Sequence, residues 1–324
     1  MRLAAAVEAP HKAAVDKRPL IIDCDTGVDD AVALLLAFSS PEFNILGVCT
    51  TDGNVSAELV ARNTRIIREI AGREDVPIHV GCPRPMVREP VEAGHFHGES
   101  GLGDLDVFDP KAPAADGHAV NFIIDTVMRL PPEAVTLAVT GPMTNLAVAM
   151  IMQPAIIERL GPVIIMGGAR SEGGNIIASA EFNVFADPHA AQVVFTSGCP
   201  ITVLGLDATH QVRATEARIA SIEAIGTKKA TTAARLLRFA RGISTELMEG
   251  EEPPVHDPCT IAFLLRPELF ATRPCSVLVE TGSALTIGHT AVEFRVDPAT
   301  ATVRWVTRVD DGGVFALLNE RLAL

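Results

Sequence analysis

Positive charge is scarce in this 324-residue chain: 27 lysines and arginines stand against 40 aspartates and glutamates, a formal net charge of −13. A surface of that sign repels phosphate backbones and anionic lipid, which argues against nucleic acid or membrane as a partner. Long apolar runs are missing as well. The longest, Ala31 to Phe38, is too short to span a bilayer. Among the first 18 residues the alanines are interrupted by Glu8, His11, Lys12 and Asp16. No continuous apolar segment of roughly 7–15 residues, as a secretory signal needs, is present there. Residues 1–18 therefore read as a loosely ordered leader. No CxxC pair occurs. The six cysteines (Cys24, Cys49, Cys82, Cys199, Cys259, Cys275) are scattered, which in a chain of this length points to reduced, buried thiols rather than a disulfide framework or a zinc site. The cytoplasm is the expected location. No internal repeat, low-complexity tract or Gly/Ser linker divides the sequence.

What is present is an alternation, in a chain that is 48% apolar. Short apolar runs at Leu20–Asp23, Ile45–Thr50, Val76–Val80, Val135–Thr140, Val163–Met166 and Ile201–Leu206 have the character of strands buried on both faces. Helical patterns separate most of them, at Asp30–Phe38, Ser56–Ala71, His118–Leu130, Thr144–Met152 and Pro188–Ser197. Strand, helix, strand in this order implies right-handed crossovers. The expected fold class is α/β: one large, Rossmann-like domain over residues 19–324, with a mainly parallel, mixed sheet flanked by helices. After Leu206 helices near 215–224 and 230–249 suggest an insertion, followed by a helix at Asp257–Leu265. Strands near 275–280, 290–295 and 302–307 are expected to form an antiparallel edge. Polar and glycine-rich residues collect after the strands: Asp23, Asp25, Asp29 and Asp30 after the first, Asp52 and Asn54 after the second, Thr140 after the fourth, and Met166-Gly167-Gly168 after the fifth. Open parallel sheets bind ligands at that end.

The segment from Asp23 to Asp30 holds four carboxylates in eight residues. An acidic turn with Asp29 or Asp30 capping the next helix accounts for one or two of them. It does not account for Asp23 and Asp25 leaving a buried strand, whereas a hard divalent cation such as Ca²⁺, which takes six to eight oxygen ligands, accounts for the set. An EF-hand loop beginning at Asp23 would need Gly and Glu where Val28 and Leu34 stand, so that motif fails. A Mg²⁺-dependent phosphohydrolase of the haloacid-dehalogenase kind also begins Asp-x-Asp after its first strand. The following residues do not match its usual pattern, and no Lys or Arg lies within the motif blocks, Arg170 being the nearest.

The run DCDTGVDDAVALLLA resembles the signature of the inosine–uridine preferring nucleoside hydrolase family, usually DxDPGxDDAxAL, with Thr26 in place of the proline. Further blocks follow in the family's order: Gly53-Asn54, His97-Gly98-Glu99-Ser100-Gly101-Leu102, Thr140-Gly141-Pro142-Met143-Thr144-Asn145, Met166-Gly167-Gly168, Ala180-Glu181-Phe182-Asn183 and His256-Asp257-Pro258. The resemblance spans roughly residues 19 to 320. It implies hydrolysis of the N-glycosidic bond of a ribonucleoside to ribose and free base, in a homodimer or homotetramer. By the same resemblance Asp25, Asp30 and Asp257 would bind Ca²⁺ through their side chains and Thr140 through its carbonyl. A metal-bound water would give a proton to Asp25 and attack C1′ directly, with inversion. Asp29, Asn54, Met166, Asn175, Glu181 and Asn183 would hold the ribose. Met at a strand end is otherwise ordinary core, and Glu181 and Asn183 alone would read as a polar turn.

At the base end the resemblance points to His256 as the acid that helps the base depart, a role suited to an unperturbed histidine pKa of about 6.5. His97 would be a second base-side histidine, with His95 close by in sequence. His97 lies in a stretch of about 37 residues between Val80 and His118, and loops of such length are usually functional lids or disordered. The chain has no tyrosine, and its single tryptophan is Trp305. Some relatives contact the base with a tyrosine on the helix before His256; here that helix offers Phe239, Arg238, Arg241 and Glu246 instead. A non-catalytic nucleoside- or ribose-binding protein is the remaining alternative, although a mere binder needs neither Asp25 nor His256.

Overall fold

The computed structural model describes residues 17–247 and 251–324. Most of the expected leader lies outside those residues, but Arg18 does not belong to it: it is the first residue of strand β1 (Arg18–Cys24), paired with Phe43. The chain alternates from there. β2 (Phe43–Thr50), β3 (Ile78–Val80), β4 (Thr136–Val139), β5 (Val163–Met166) and β6 (Ile201–Leu204) are joined through α1 (Val28–Phe38), α2 (Ala57–Ile70), the short α3 (Gly94–His97), α4 (Ala119–Arg129), α5 (Thr144–Met152), the short α6 (Phe182–Ala186) and α7 (Pro188–Phe195). The short α8 (Leu206–Thr209), α9 (Glu216–Glu223), α10 (Lys228–Leu247) and α11 (Pro258–Leu265) follow as a helical run, then β7 (Phe270–Val279), β8 (Thr290–Glu293), β9 (Val303–Val309) and α12 (Asp311–Leu322).

One nine-stranded sheet results, in the order β3-β2-β1-β4-β5-β6-β9-β7-β8. The antiparallel edge is smaller than expected. β7 runs antiparallel to β8 and β9, but β9 extends the parallel body by pairing with β6. Helix α12 has no counterpart in the sequence reading because it opens Asp-Gly-Gly, the composition of a turn. The structure starts it nonetheless, with the Asp310 carboxylate accepting from the Gly313 amide.

Period-two alternation along β1 divides the core between the two sheet faces. Leu20 and Ile22 pack with α1, α10, α11 and α12, while Ile21 packs with α4, α5 and α7. With both faces covered, the polar ends of these strands are left to converge along one edge of the sheet. The strand order reverses beside β1, whose neighbours are β2 and β4. The crevice beyond the carboxyl ends of those three strands is where this topology places a ligand.

Candidate active site

Asp25 follows β1 directly and is fully buried. Its Oδ2 accepts the Asn54 amide at 2.8 Å, whereas its Oδ1, equally buried, has no partner among the described residues. Room for the carboxylate is made by glycines of the two adjacent loops. A Cβ on Gly53 after β2, or on Gly141 after β4, would run into Asp25. Asp23, at the end of β1, is held from the side: Asn145 of α5 donates through Nδ2 to Asp23 Oδ1 and to the Thr50 carbonyl, and its Oδ1 accepts the Cys82 amide. One amide thus ties together the chain at the ends of β1 and β2 and the segment just after β3. Burial pushes Asp23 up to about 7 despite the Asn145 bond.

Two helix starts bring the remaining carboxylates in. Asp29 and Asp30 lie in the first turn of α1, where acidic side chains are favoured, and Asp257 is the N-cap residue of α11. Asp30 is anchored on every side: Oδ2 accepts the Gly27 amide at 3.0 Å and the Asn54 side-chain amide at 3.1 Å, and Oδ1 accepts the Thr140 hydroxyl at 2.7 Å. Carboxylate oxygens of Asp29, Asp30 and Asp257 lie within 4.8 Å of one another. Burial, then the Asp30 charge, holds Asp25 well above the usual carboxylate range; burial, then Asp29 and Asp30, does the same to Asp257. Asp29 and Asp30 are raised too, with burial as the leading cause. A cluster of this kind is unfavourable by itself and is relieved by a cation. The donor set is hard oxygen throughout, and the partnerless Asp25 Oδ1 adds to it, so these residues fit a hard divalent cation.

A cavity of about 440 Å³ opens above this floor. Asp29, Asn54, Thr140, Met166, Asn183 and Asp257 line its inner part. The expected ribose-binding groups are brought together here, each already half employed. Asn183 donates through Nδ2 to the Thr140 and Met166 carbonyls, at 2.7 and 3.1 Å, and joins the ends of β4 and β5. Its Oδ1 is what it can present to a sugar. The Thr140 carbonyl, expected as a metal ligand, is therefore also an acceptor for Asn183. Asn175 accepts the Phe182 amide through Oδ1, which leaves its amide nitrogen for the cavity. Glu181 is the N-cap of α6, accepting from the Gly168, Asn183 and Val184 amides; burial nevertheless raises it to about 6. The polar-turn reading of this residue is correct alongside its place in the cavity wall.

At the other end, His97 Nδ1 accepts the Val28 amide at 3.0 Å, which fixes α3 to the start of α1. The side chain of His95 lies outside the described residues. His256 Nδ1 is 2.8 Å from the Thr209 hydroxyl. An ordinary histidine pKa was the expectation for His256, and the structure corrects it. Burial first, then the charges of His210, Arg213 and His97, push it down to about 3. His256 is therefore neutral near pH 7. When Thr209 donates to Nδ1, the neutral ring carries its proton on Nε2, toward which no described group is bonded.

The candidates to replace the tyrosine of some relatives are not where they were expected. Arg238 pairs with Glu216 and Glu223, and Arg241 with Glu216 and Glu252. Phe239 lies against Gly98 and Gly103, and Glu246 is exposed. None of the four lines the cavity, because the inward face of α10 carries Ala240, Ile243 and Ser244. Sequence reasoning also passed over Glu172, Thr209, His210 and Arg213. The signal was faint: Thr209 and His210 close the short α8, which begins one residue after β6 and so lies at the carboxyl-end side of the sheet where the other groups gather.

Comparison with known proteins agrees with this geometry. The family model described as inosine-uridine preferring nucleoside hydrolase matches residues 20–316. The inosine-uridine preferring nucleoside hydrolase of Leishmania major is 41% identical over 310 residues, 94% of this chain and 97% of the relative. The pyrimidine-specific ribonucleoside hydrolase RihA of Photobacterium profundum is 40% identical over 94% of this chain and 99% of its own. Among solved structures, the purine-preferring ribonucleoside hydrolase from Gardnerella vaginalis superposes with a TM-score of 0.88 at 32% identity, over 94% of this chain and 98% of that one.

Proposed function

The chain belongs to the inosine-uridine preferring nucleoside hydrolase family, and from that premise we propose that it hydrolyses the N-glycosidic bond of ribonucleosides to ribose and free base. The observation that carries the reading is the convergence of Asp25, Asp29, Asp30 and Asp257 beneath a cavity ringed by Asn54, Asn175, Glu181 and Asn183. Asp25, Asp30 and Asp257, with the Thr140 carbonyl, would hold a calcium ion. When bound, the ion offsets the mutual repulsion of the carboxylates, clamps ribose hydroxyls and acidifies a neighbouring water.

The chain's own groups supply the rest. Asp25 accepts the proton of the attacking water at Oδ1, the oxygen that Asn54 leaves unengaged. Asp29 and Asn54 grip the ribose hydroxyls from the side of β2, while Asn183, Glu181 and Asn175 grip the sugar from the side of β5, above Met166. Water then attacks C1′ on the face opposite the base, and the configuration inverts. On the base side, neutral His256 donates a hydrogen bond from Nε2 as negative charge develops on the departing ring. Asp23 and Asn145 touch nothing that reacts; they keep the Asp25 loop in register.

Release of free base from inosine and uridine tests the activity, and a chain that hydrolyses neither is not a ribonucleoside hydrolase. Elemental analysis tests the ion: about one equivalent of calcium per chain is expected, and stoichiometric zinc, or full activity after complete chelation, would overturn the assignment.

A further inference from the structure

The base end of the cavity contains apparatus that the reaction as derived above does not use. The loop after β5 is bolted to α8 by a single carboxylate. Asp207 accepts the amides of Arg170 at 2.7 Å and Ser171 at 2.9 Å, and the Ser171 hydroxyl as well. The Leu206 amide donates to the Gly168 carbonyl at 2.9 Å and closes the same joint. The residue after that clamp is Glu172. Its Oε2 lies 3.0 Å from Nδ1 of His210, three positions beyond Asp207. Arg213 braces the His210 backbone from behind, donating through Nε to the His210 carbonyl and through Nη1 to the carbonyl of Glu252. Glu172, His210 and Arg213 all line the cavity.

A carboxylate–histidine pair on an open surface contributes little, and no role would follow from it. This pair differs in two respects. The Asp207 clamp and the Arg213 bond to the His210 carbonyl hold the two backbones, so the pair joins two fixed segments rather than two free loops. It also continues a series that runs from the floor of the cavity to its rim: Asp257 is buried, His256 half-buried, the His210 side chain 24% exposed and the Glu172 side chain 43% exposed. The His210 and His256 rings lie 5.9 Å apart, tilted by 55°. With Nδ1 committed to Glu172, Nε2 is the nitrogen that His210 can offer to a bound base.

We infer that the Glu172–His210 pair recognises the outer edge of a purine base, with His210 as the contacting residue and Glu172 and Asp207 as positioning residues. This rests on the ribonucleoside hydrolase reading and deepens it. With the ribose fixed over the carboxylates, His256 stands beside the part of the base nearest the sugar. A pyrimidine ends one ring from C1′, whereas the six-membered ring of a purine is carried a further ring outward, toward the rim where His210 sits. The pair thus meets the purine's six-membered ring and lies beyond most of a pyrimidine.

The test compares inosine, uridine and p-nitrophenyl riboside on the full-length protein and on three variants, His210→Ala, Glu172→Gln and Asp207→Asn, with thermal midpoints measured alongside. In His210→Ala, kcat/KM for inosine should fall about tenfold more than for uridine, and p-nitrophenyl riboside should follow uridine. Glu172→Gln, on the exposed side of the pair, should move the inosine-to-uridine ratio in the same direction by a smaller factor without shifting the midpoint. Asp207→Asn should resemble Glu172→Gln. Equal losses on inosine and uridine, or an unchanged ratio in both His210→Ala and Glu172→Gln, would overturn the inference. So would a wild-type protein that cleaves uridine and leaves inosine intact, a result under which the hydrolase reading survives. Failure to cleave any riboside would remove both.

Discussion

The sugar end and the base end of the cavity are built by opposite means. At the sugar end the functional groups are buried side chains just after β1 or at the starts of α1 and α6, and each is fixed by hydrogen bonds to neighbouring backbone or side-chain groups: Asp25 by Asn54, Asp30 by Gly27 and Thr140, Asn183 by two carbonyls. At the base end the groups are longer and partly exposed, and they come from four separated segments: α3, the loop after β5, the stretch from α8 to Arg213, and the chain from α10 to His256. A carboxylate floor for an invariant sugar can be made rigid. A wall facing a variable base is made of parts that can be exchanged without disturbing that floor.

The largest effect should come from removing a hydroxyl that the rigid end is built to bind. If the proposed roles hold, a 2′-deoxyribonucleoside would leave Asp29, Asn54 and the ion without a partner, and discrimination against it can reach roughly 10⁴-fold in kcat/KM. Comparable values for uridine and deoxyuridine would mean that the floor is not a hydroxyl clamp.

Next in size is Asp25→Asn, which removes the proton acceptor at Oδ1 and one carboxylate of the floor together. A loss in kcat of about 10³-fold is expected. Asp23→Asn should cost far less, because Asp23 is bonded to Asn145 and serves to hold the Asp25 loop. Wild-type turnover by Asp25→Asn would contradict the mechanism.

The base end can be separated from the floor with one substitution and two substrates. His256→Ala should slow natural nucleosides by about 10²-fold, while p-nitrophenyl riboside, whose leaving group needs no help, stays near the wild-type rate. Parallel losses on both would instead place His256 in the support of Asp257, its neighbour in sequence. The smallest effect is expected from Thr209→Val, which takes away the hydroxyl that orients His256 Nδ1. A decrease of about fivefold on nucleosides, in keeping with one hydrogen bond, and none on p-nitrophenyl riboside, would tie Thr209 to the leaving group. A loss on both substrates would tie it to the fold.

How much of this could be read from the chain follows the same division. Asp23 to Asp30 are contiguous, so their excess of carboxylate over what a helix cap needs is visible without a structure. The alternation of buried strands and amphipathic helices likewise announces a parallel sheet with its ligands at the strand ends. The resemblance to the hydrolase family rests on such contiguous blocks. Other features depended on spatial neighbours. Helix α12 is hidden by its Asp-Gly-Gly start and exists because Val314, Phe315, Leu317 and Leu318 find a core to enter. The direction of β9 was settled by which strand it met. The pKa of His256 is a property of its burial and of His210, Arg213 and His97, all three carried on other segments. Residue type and spacing determined the carboxylate floor, because one short segment contains three of its four aspartates, Asp25, Asp29 and Asp30. Only the tertiary structure decided what lines the rest of the cavity, because Glu172, His210, Ser244 and His256 are brought to it by the packing of a loop against α8 and by which face α10 turns inward, and neither leaves a local trace in the sequence.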